Sequence, residues 1–240
     1  MKGTTIDLEG YVIHLSDYKD NDCMVSFLTN SGIYSFQARG IKKPTSKNHI
    51  LSTLLAKTSV TLLSDSSRLA LKESKLITYP NTGDDLLITI CLQFLNELNS
   101  RVMEDGHLLY PFLNFIMEHL NDPSSMLTFC TIYFAQYLKS EGYGLNVDSC
   151  VFCGKKNDIV GVSLMNGGFI CRDDLEYESE RKEPRFLKIL RFCFRCEPND
   201  MIRVKFENKE CIQIIAFLST LYEESTGIKL KSLEYLRRTI

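Results

Sequence analysis

No run in this chain approaches eighteen consecutive apolar residues, so no transmembrane helix is expected. The opening stretch, MKGTTIDLEGYVIHL, holds one lysine and then acidic residues where a secretory signal would have its apolar core. Both absences point to a cytoplasmic protein with no membrane partner. Histidine is scarce, and His14, His49, His107 and His119 are scattered without metal-ligand or catalytic spacing. No G-x-x-x-x-G-K followed by Ser or Thr offers a cradle for nucleotide phosphates, and no G-x-S-x-G offers a nucleophile. The paired acids Asp84 and Asp85 read as charge at a helix N-terminus. Covalent catalysis is therefore not expected.

What is present suits a folded, soluble chain. Of 240 residues, 44% are apolar and 24% charged, enough to bury a core in one large domain or two to three small ones. Cysteine is plentiful, at nine. In a reducing compartment that number argues for metal ligands or packed thiols over a disulfide framework. Cys23, Cys91, Cys130 and Cys211 lie alone in apolar stretches and read as small buried hydrophobes. The net charge of −2 divides unevenly along the chain: +3 over residues 1–80, −7 over 81–149 and +2 over the remainder. Such blocks suggest modules with different partners.

Residues 1–80 read as β-structure. GYVIHLS, CMVSFLT, GIYSFQARG, SVTLLS and LALKESKLITY are short, rich in β-branched and aromatic residues, and bounded by turn-formers. Five such strands suit a small closed barrel, since closure removes sheet edges. ARGIKKPTSKNHI then places Arg39, Lys42, Lys43 and Lys47 within nine positions, just after Tyr34 and Phe36, which share one face of a strand. Cations for phosphates beside aromatic rings for bases form a single-strand-binding surface. The alternative is a solvated loop beside two core aromatics.

From residue 81 the apolar period lengthens. Leu87, Ile90, Cys91, Phe94, Leu95 and Leu98 make one helical stripe, and Leu109, Phe112, Leu113, Ile116 and Met117 make a second. DPSSMLTFCTIYFAQYLKSEG has serines suited to N-capping after Pro123 and ends at Gly142; being apolar on most sides, it should lie at a bundle's centre. EPRFLKILRFCFRC and KECIQIIAFLSTLYEESTG add further helix. Between these stretches, CVFCGKKNDIVGVSLMNGGFICRDD has the spacing of a zinc knuckle. Cys150 and Cys153 form a CxxC turn, Gly167-Gly168 a hairpin, and Cys171 opens a second turn. Three residues further on, Asp174 stands where a fourth cysteine would be.

The order of barrel, bundle, knuckle and further helices resembles the RecO family of bacterial recombination mediators. EGYVIHLSDYKDND, ARGIKKPTSK, YLKSEGYGLNVDSCVFCG and GIKLKSLEYL carry the likeness, in order, over nearly the whole chain. The resemblance implies an α+β fold: an N-terminal OB-type β-barrel (1–80), a helical domain (81–147 and 184–240) and an inserted zinc-knuckle-like hairpin (148–183). It implies a DNA repair and recombination protein of the nucleoid that binds single- and double-stranded DNA and anneals complementary strands. With RecR, such a protein helps load RecA onto DNA covered by single-strand-binding protein. On the chemistry of the basic loop, the DNA contacts are expected at Arg39, Lys42, Lys43 and Lys47, with Tyr34 or Phe36 for stacking. The acidic tail of the single-strand-binding protein is expected to avoid the −7 block and to meet Lys188, Arg191 and Arg195 on charge grounds.

The family's fourth metal ligand falls on Asp174. Three outcomes stay open: one structural zinc ion held by Cys150, Cys153, Cys171 and Asp174, a site that borrows Cys193 or Cys196 from the second CxxC, and a metal-free relic. Cys193 and Cys196, three apart, would share a helical face. Two rival functions also stand. One is a protein-interaction adaptor built on the knuckle and the acidic bundle. The other is a thiol redox enzyme, disfavoured because Cys150 and Cys153 do not follow a strand and open a helix.

Overall fold

Side chains that alternate in burial every second residue form five strands: β1 (Thr4–Lys19), β2 (Asp22–Thr29), β3 (Gly32–Ala38), β4 (Lys57–Asp65) and β5 (Arg68–Thr78). These come from a computed structural model, which describes residues 4–65, 68–102, 106–177 and 180–239. The strands close in the order β1-β2-β3-β5-β4. All pairs are antiparallel except β3–β5, which meet in parallel at Gln37 and Ala70. Val12, Cys23, Val25, Phe27, Phe36, Ala38, Val60 and Leu62 fill the interior. β1 starts earlier than the sequence suggested. Its first residues pair with β4 from Thr4–Ser64 to Glu9–Ser59, and Ile6 and Leu8 turn their side chains onto the core. Gly10 lies where β1 passes closest to β2; a Cβ there would stand 2.2 Å from the Leu28 carbonyl oxygen, so no other residue fits without a shift.

Two helices follow, α1 (Leu86–Asn99) and α2 (Tyr110–Glu118). Asp85 caps α1 by accepting a hydrogen bond from the Ile88 N–H at 3.0 Å, as its acidity at that place implies. Asn114 on α2 receives both the Tyr11 hydroxyl (2.9 Å) and the Lys57 ammonium (3.0 Å), fixing α2 to β1 and β4. The strands and these two helices make up one compact unit, Met1–Leu120.

The second unit, Asn121–Ile240, contains α3 (Pro123–Ser140), the hairpin β6 (Ile159–Ser163) and β7 (Gly168–Cys171), then α4 (Pro184–Arg195), α5 (Asn208–Thr226) and α6 (Ser232–Thr239). Every α3 residue from Ser125 to Leu138 is buried, and the helix packs against both α4 and α5, so it occupies the centre of this unit. Its N-cap is Asp122, not a serine. Pro123, which has no N–H to satisfy, takes the first helical position and moves Ser124 and Ser125 inside. Among the described residues, no helix is long and apolar enough to cross a membrane.

Candidate nucleic-acid interface and candidate metal centre

The basic loop leaves the barrel at the end of β3. Arg39, Lys42, Lys43 and Lys47 are all exposed. The loop's first turn is tied to the β1–β2 turn: Asp22 accepts the Gly40 N–H at 2.8 Å and the Gln37 amide at 3.3 Å, and the Lys42 N–H reaches the Asn21 carbonyl at 3.2 Å. Further along, Asn48 accepts from Ser74 on β5 at 2.8 Å. Two ties at its ends give an eighteen-residue connection a fixed course over the barrel mouth. Lys42 is held by Asp17 at 2.7 Å, and that hydrogen bond raises its pKa; Asp17 is itself open to solvent. Among the described residues, no ion pair engages Arg39, Lys43 or Lys47.

The structure moves the aromatic partner of these cations. Phe36 is fully buried and packs edge-on to Phe27 with centroids 5.8 Å apart, so no ring face is left for a base. Tyr34 lies half-buried near the β2–β3 turn, with its hydroxyl 3.5 Å from Ser31. It precedes Arg39 by five residues, roughly 16 Å along an extended strand. At Phe36 the strand face inferred for the pair looks into the barrel. Near the cations stands Tyr18 instead, 44% exposed, with the Lys19 ammonium 5.6 Å from its ring. Lys19, Arg39 and Lys43 line one depression of about 440 Å³ together with Asp20 and Asp22. In sequence, SDYKDND looked like a plain turn because three acids surround its Tyr-Lys pair.

The knuckle residues converge. Ligand atoms of Cys150, Cys153, Cys171 and Asp174 all lie within 4.8 Å of one another. The Cys150 and Cys171 thiols each donate to the same Asp174 oxygen at 3.1 Å, and the Cys153 and Cys171 sulfurs are 3.6 Å apart. A tetrahedral zinc ion with Zn–S near 2.3 Å and Zn–O near 2.0 Å sets S···S at about 3.8 Å and S···O at about 3.5 Å. The cluster is close to those spacings, and the donor set fits the ion. Asp173 does not compete, because Lys155 binds it.

Local chemistry explains the convergence. The Gly154 N–H closes on the Cys150 carbonyl at 2.9 Å, bending the CxxC into a turn. Gly168 pairs with Asn146, and a Cβ on it would stand 2.4 Å from that carbonyl, so the backbone crosses there only with glycine. Ile170 is buried with Cys150 and Cys171, and Ile159 and Leu175 close over them. Hydrogen bonds from Cys153 first, then Cys171 and Cys150, hold the Asp174 carboxyl down at about 2. The same carboxylate pushes Cys153 up to about 12 and raises Cys171. Cys150 goes the other way: burial, the largest influence, opposes ionisation, but N–H groups of Cys153, Cys171 and Phe152 together outweigh it. Asp174 thus collects thiol protons that a divalent cation would replace.

The second CxxC takes no part. Cys193 is buried in the helical core, and burial pushes its thiol well up. Cys196 follows the last residue of α4 with extended backbone, so the two do not share a helical face as the spacing suggested. Among the described residues, the one group of three or more metal-ligand side chains is the knuckle set. On α4, Lys188, Arg191 and Arg195 are exposed as the sequence implied. Asp148, however, pairs with Arg191 at 3.4 Å and with Arg195 at 3.2 Å.

Comparison with known proteins agrees with both halves. The family model described as Recombination protein O N terminal matches residues 1–79, and that described as Recombination protein O C terminal matches residues 83–234. DNA repair protein RecO of Bacillus cereus (strain B4264) is 28% identical over 242 residues, covering 96% of each chain. DNA repair protein RecO of Bacillus anthracis (strain CDC 684 / NRRL 3495) is 27% identical over the same span and coverage. A solved asparaginyl-tRNA synthetase from Entamoeba histolytica overlaps 52% of this chain and 34% of its own at 13% identity, with a TM-score of 0.27, too low to bear on the fold. With its N- and C-terminal halves matched in order, the chain belongs to the RecO family of DNA repair proteins.

Proposed function

We propose that the protein is a recombination mediator that binds single- and double-stranded DNA and anneals complementary strands without covalent chemistry. With RecR it would help load RecA onto DNA coated by single-strand-binding protein, acting in the cytoplasm at the nucleoid. The observation that carries this reading is the anchored, exposed cation set Arg39, Lys42, Lys43 and Lys47 beside Tyr18 and Lys19 at one end of the closed strand set. Five strands whose single parallel pair joins β3 to β5 suit an OB-type barrel, a scaffold for nucleic-acid surfaces. Annealing needs phosphate neutralisation and ordered bases, both of which a binding surface supplies. One zinc ion on Cys150, Cys153, Cys171 and Asp174 would act as a staple for a hairpin whose own buried cluster has only three residues. The acidic tail of the single-strand-binding protein would find Lys188 free of any ion pair among the described residues, with Arg191 and Arg195 available by exchange from Asp148.

The test is strand annealing of complementary oligonucleotides by the purified chain, alone and on strands coated with single-strand-binding protein with RecR added. Acceleration in both settings supports the mediator. Binding of RecR without DNA affinity or annealing would favour the adaptor reading instead.

A further inference from the structure

Eight of the nine cysteines are buried, and Cys153 alone is exposed. It sits in the CxxC turn, which the Val151 N–H ties to the Phe169 carbonyl of β7 at 2.8 Å. β7 ends on Cys171, which the hairpin holds opposite Ile159. Turn and strand thus lie side by side, and the Cys153 and Cys171 sulfurs come to 3.6 Å. A disulfide bond is about 2.0 Å long, so these two sulfurs have about 1.5 Å left to close. Cys153 is the sulfur that a dissolved oxidant reaches, and Cys171 lies against it.

A small-molecule disulfide such as oxidised glutathione supplies the oxidising equivalents. The Cys153 sulfur attacks one glutathione sulfur, that S–S bond breaks, and one glutathione leaves as the thiol, carrying the proton that Cys153 gave up. The Cys171 sulfur then attacks the mixed disulfide at Cys153, and the second glutathione leaves with the Cys171 proton. Two protein thiols lose two electrons, and one glutathione disulfide becomes two thiols. Asp174 holds both protein thiols in the protonated form. The thiolate is the attacking species, so the exchange is slow and its extent is read at equilibrium.

We propose that Cys153 and Cys171 are a reversible disulfide pair, a covalent staple for the knuckle that forms in place of the metal ion. The exclusion of metal rests on the zinc reading above; the bond itself does not. Once it has formed, the donors left in the cluster are Cys150 and Asp174, two where a structural zinc site takes four. Metal and disulfide therefore exclude each other. Asp174 in place of a fourth thiol also leaves Cys150 with no second thiol in the cluster, so oxidation stops at one bond. That bond joins residues 18 apart and closes the hairpin whose buried cluster has only three residues.

The test equilibrates the full chain, stripped of metal by a chelator, in glutathione buffers of graded redox ratio. Free thiols are then alkylated, the bond is mapped by mass spectrometry, and bound zinc is measured on the same samples. The metal-free chain should lose two hydrogens to a bond between Cys153 and Cys171, and dithiothreitol should restore both thiols. The oxidised chain should melt about five to ten degrees above the reduced metal-free one. Saturating zinc should move the midpoint about tenfold or more toward oxidised glutathione, because it binds the reduced form alone. Cys150→Ser should form the same bond with a smaller zinc shift, so the bond is tested apart from the full ligand set. Three results would each overturn the pair: nine free thiols in excess oxidised glutathione, a stable glutathione adduct on Cys153, or a bond mapped to Cys150. One equivalent of zinc retained by the oxidised chain would overturn the exclusion. A reduced chain that binds no zinc would instead bring down the metal reading, with the mapped bond still deciding the pair.

Discussion

Two sets of cations look alike in composition and differ in company. The barrel loop presents Arg39, Lys43 and Lys47 without ion-pair partners among the described residues, and Lys42 with one, Asp17. The exposed face of α4 presents Arg185, Lys188, Arg191 and Arg195, yet Glu210 takes Arg185 at 2.7 Å, and Asp148 takes both Arg191 and Arg195. Charge counted along the sequence treats the two sets as equal. A carboxylate brought in from forty residues away does not alter the count, but it cancels the field that a phosphate or an acidic tail would feel. The loop set thus keeps three of its four cations without an ion pair among the described residues. On α4, three of the four cations are spent within the fold, and Lys188 remains.

The largest effect should come from dismantling the knuckle that supports Asp148. Replacing Cys150 and Cys153 by serine removes two of the four candidate ligands; if the proposed zinc ion is bound, one equivalent is expected to disappear on metal analysis. Thermal stability should drop by several kcal/mol, roughly ten degrees in a unit of this size. DNA affinity at the barrel loop should be unchanged in the soluble fraction, because the loop set belongs to the other unit. Asp174→Ala should lose zinc to a chelator sooner than wild type, and Asp174→Cys later, since a thiolate is the more usual structural ligand. Equal retention in all three would place the fourth ligand elsewhere.

A middle-sized effect is expected from Asp148→Asn, which releases Arg191 and Arg195 and makes α4 resemble the loop. Affinity for an acidic peptide should rise about three- to tenfold at low salt, and the gain should vanish near 0.5 M salt as screening sets in. No gain would show that the two ion pairs are too exposed to mask anything. Asp17→Asn performs the matching operation on the loop by freeing Lys42; the expected gain in DNA affinity is about twofold, read by fluorescence anisotropy.

Much of this arrangement was legible in the sequence, and what was not shares a cause. The five strands follow from alternation, α3 from being apolar all round, and the converging thiols from CxxC, glycine and cysteine at short range. The pairing of Asp148 with Arg195 spans 47 residues, beyond any local pattern. Period two placed Tyr34 and Phe36 on one face but gave no sign whether that face looked inward. Only closure of the sheet decides it, by putting Phe36 against Phe27. The two CxxC pairs have identical spacing, yet one lies in a glycine-closed turn and the other has a cysteine inside a buried helix. Spacing is shared, and backbone conformation is what aims the sulfurs.

The smallest effect concerns pH. Arg185 holds the Glu210 carboxyl below its ordinary value, the largest of the influences on it. A depressed folded pKa stabilises above the unfolded value of about 4.3, and that contribution is lost as pH falls through the folded one. In urea melts, wild type should therefore lose slightly more stability than Glu210→Gln between pH 6 and pH 3, within the range of about 0–1 kcal/mol for surface ion pairs. Parallel curves would mean the pair adds nothing to the packing of α4 on α5.

The most direct measurement is the salt dependence of single-strand binding by wild type and by Lys42→Ala with Lys43→Ala. Each phosphate contact on a single strand contributes about 0.7 to the slope of log affinity against log salt. Loss of two should flatten the slope by about 1.4 and weaken binding to the same extent on every sequence tested. The matched substitutions on α4, Arg191→Ala with Arg195→Ala, should leave the slope where it was. An unchanged slope in the loop variant, or a flattened one in the α4 variant, would contradict the assignment of DNA to the barrel loop.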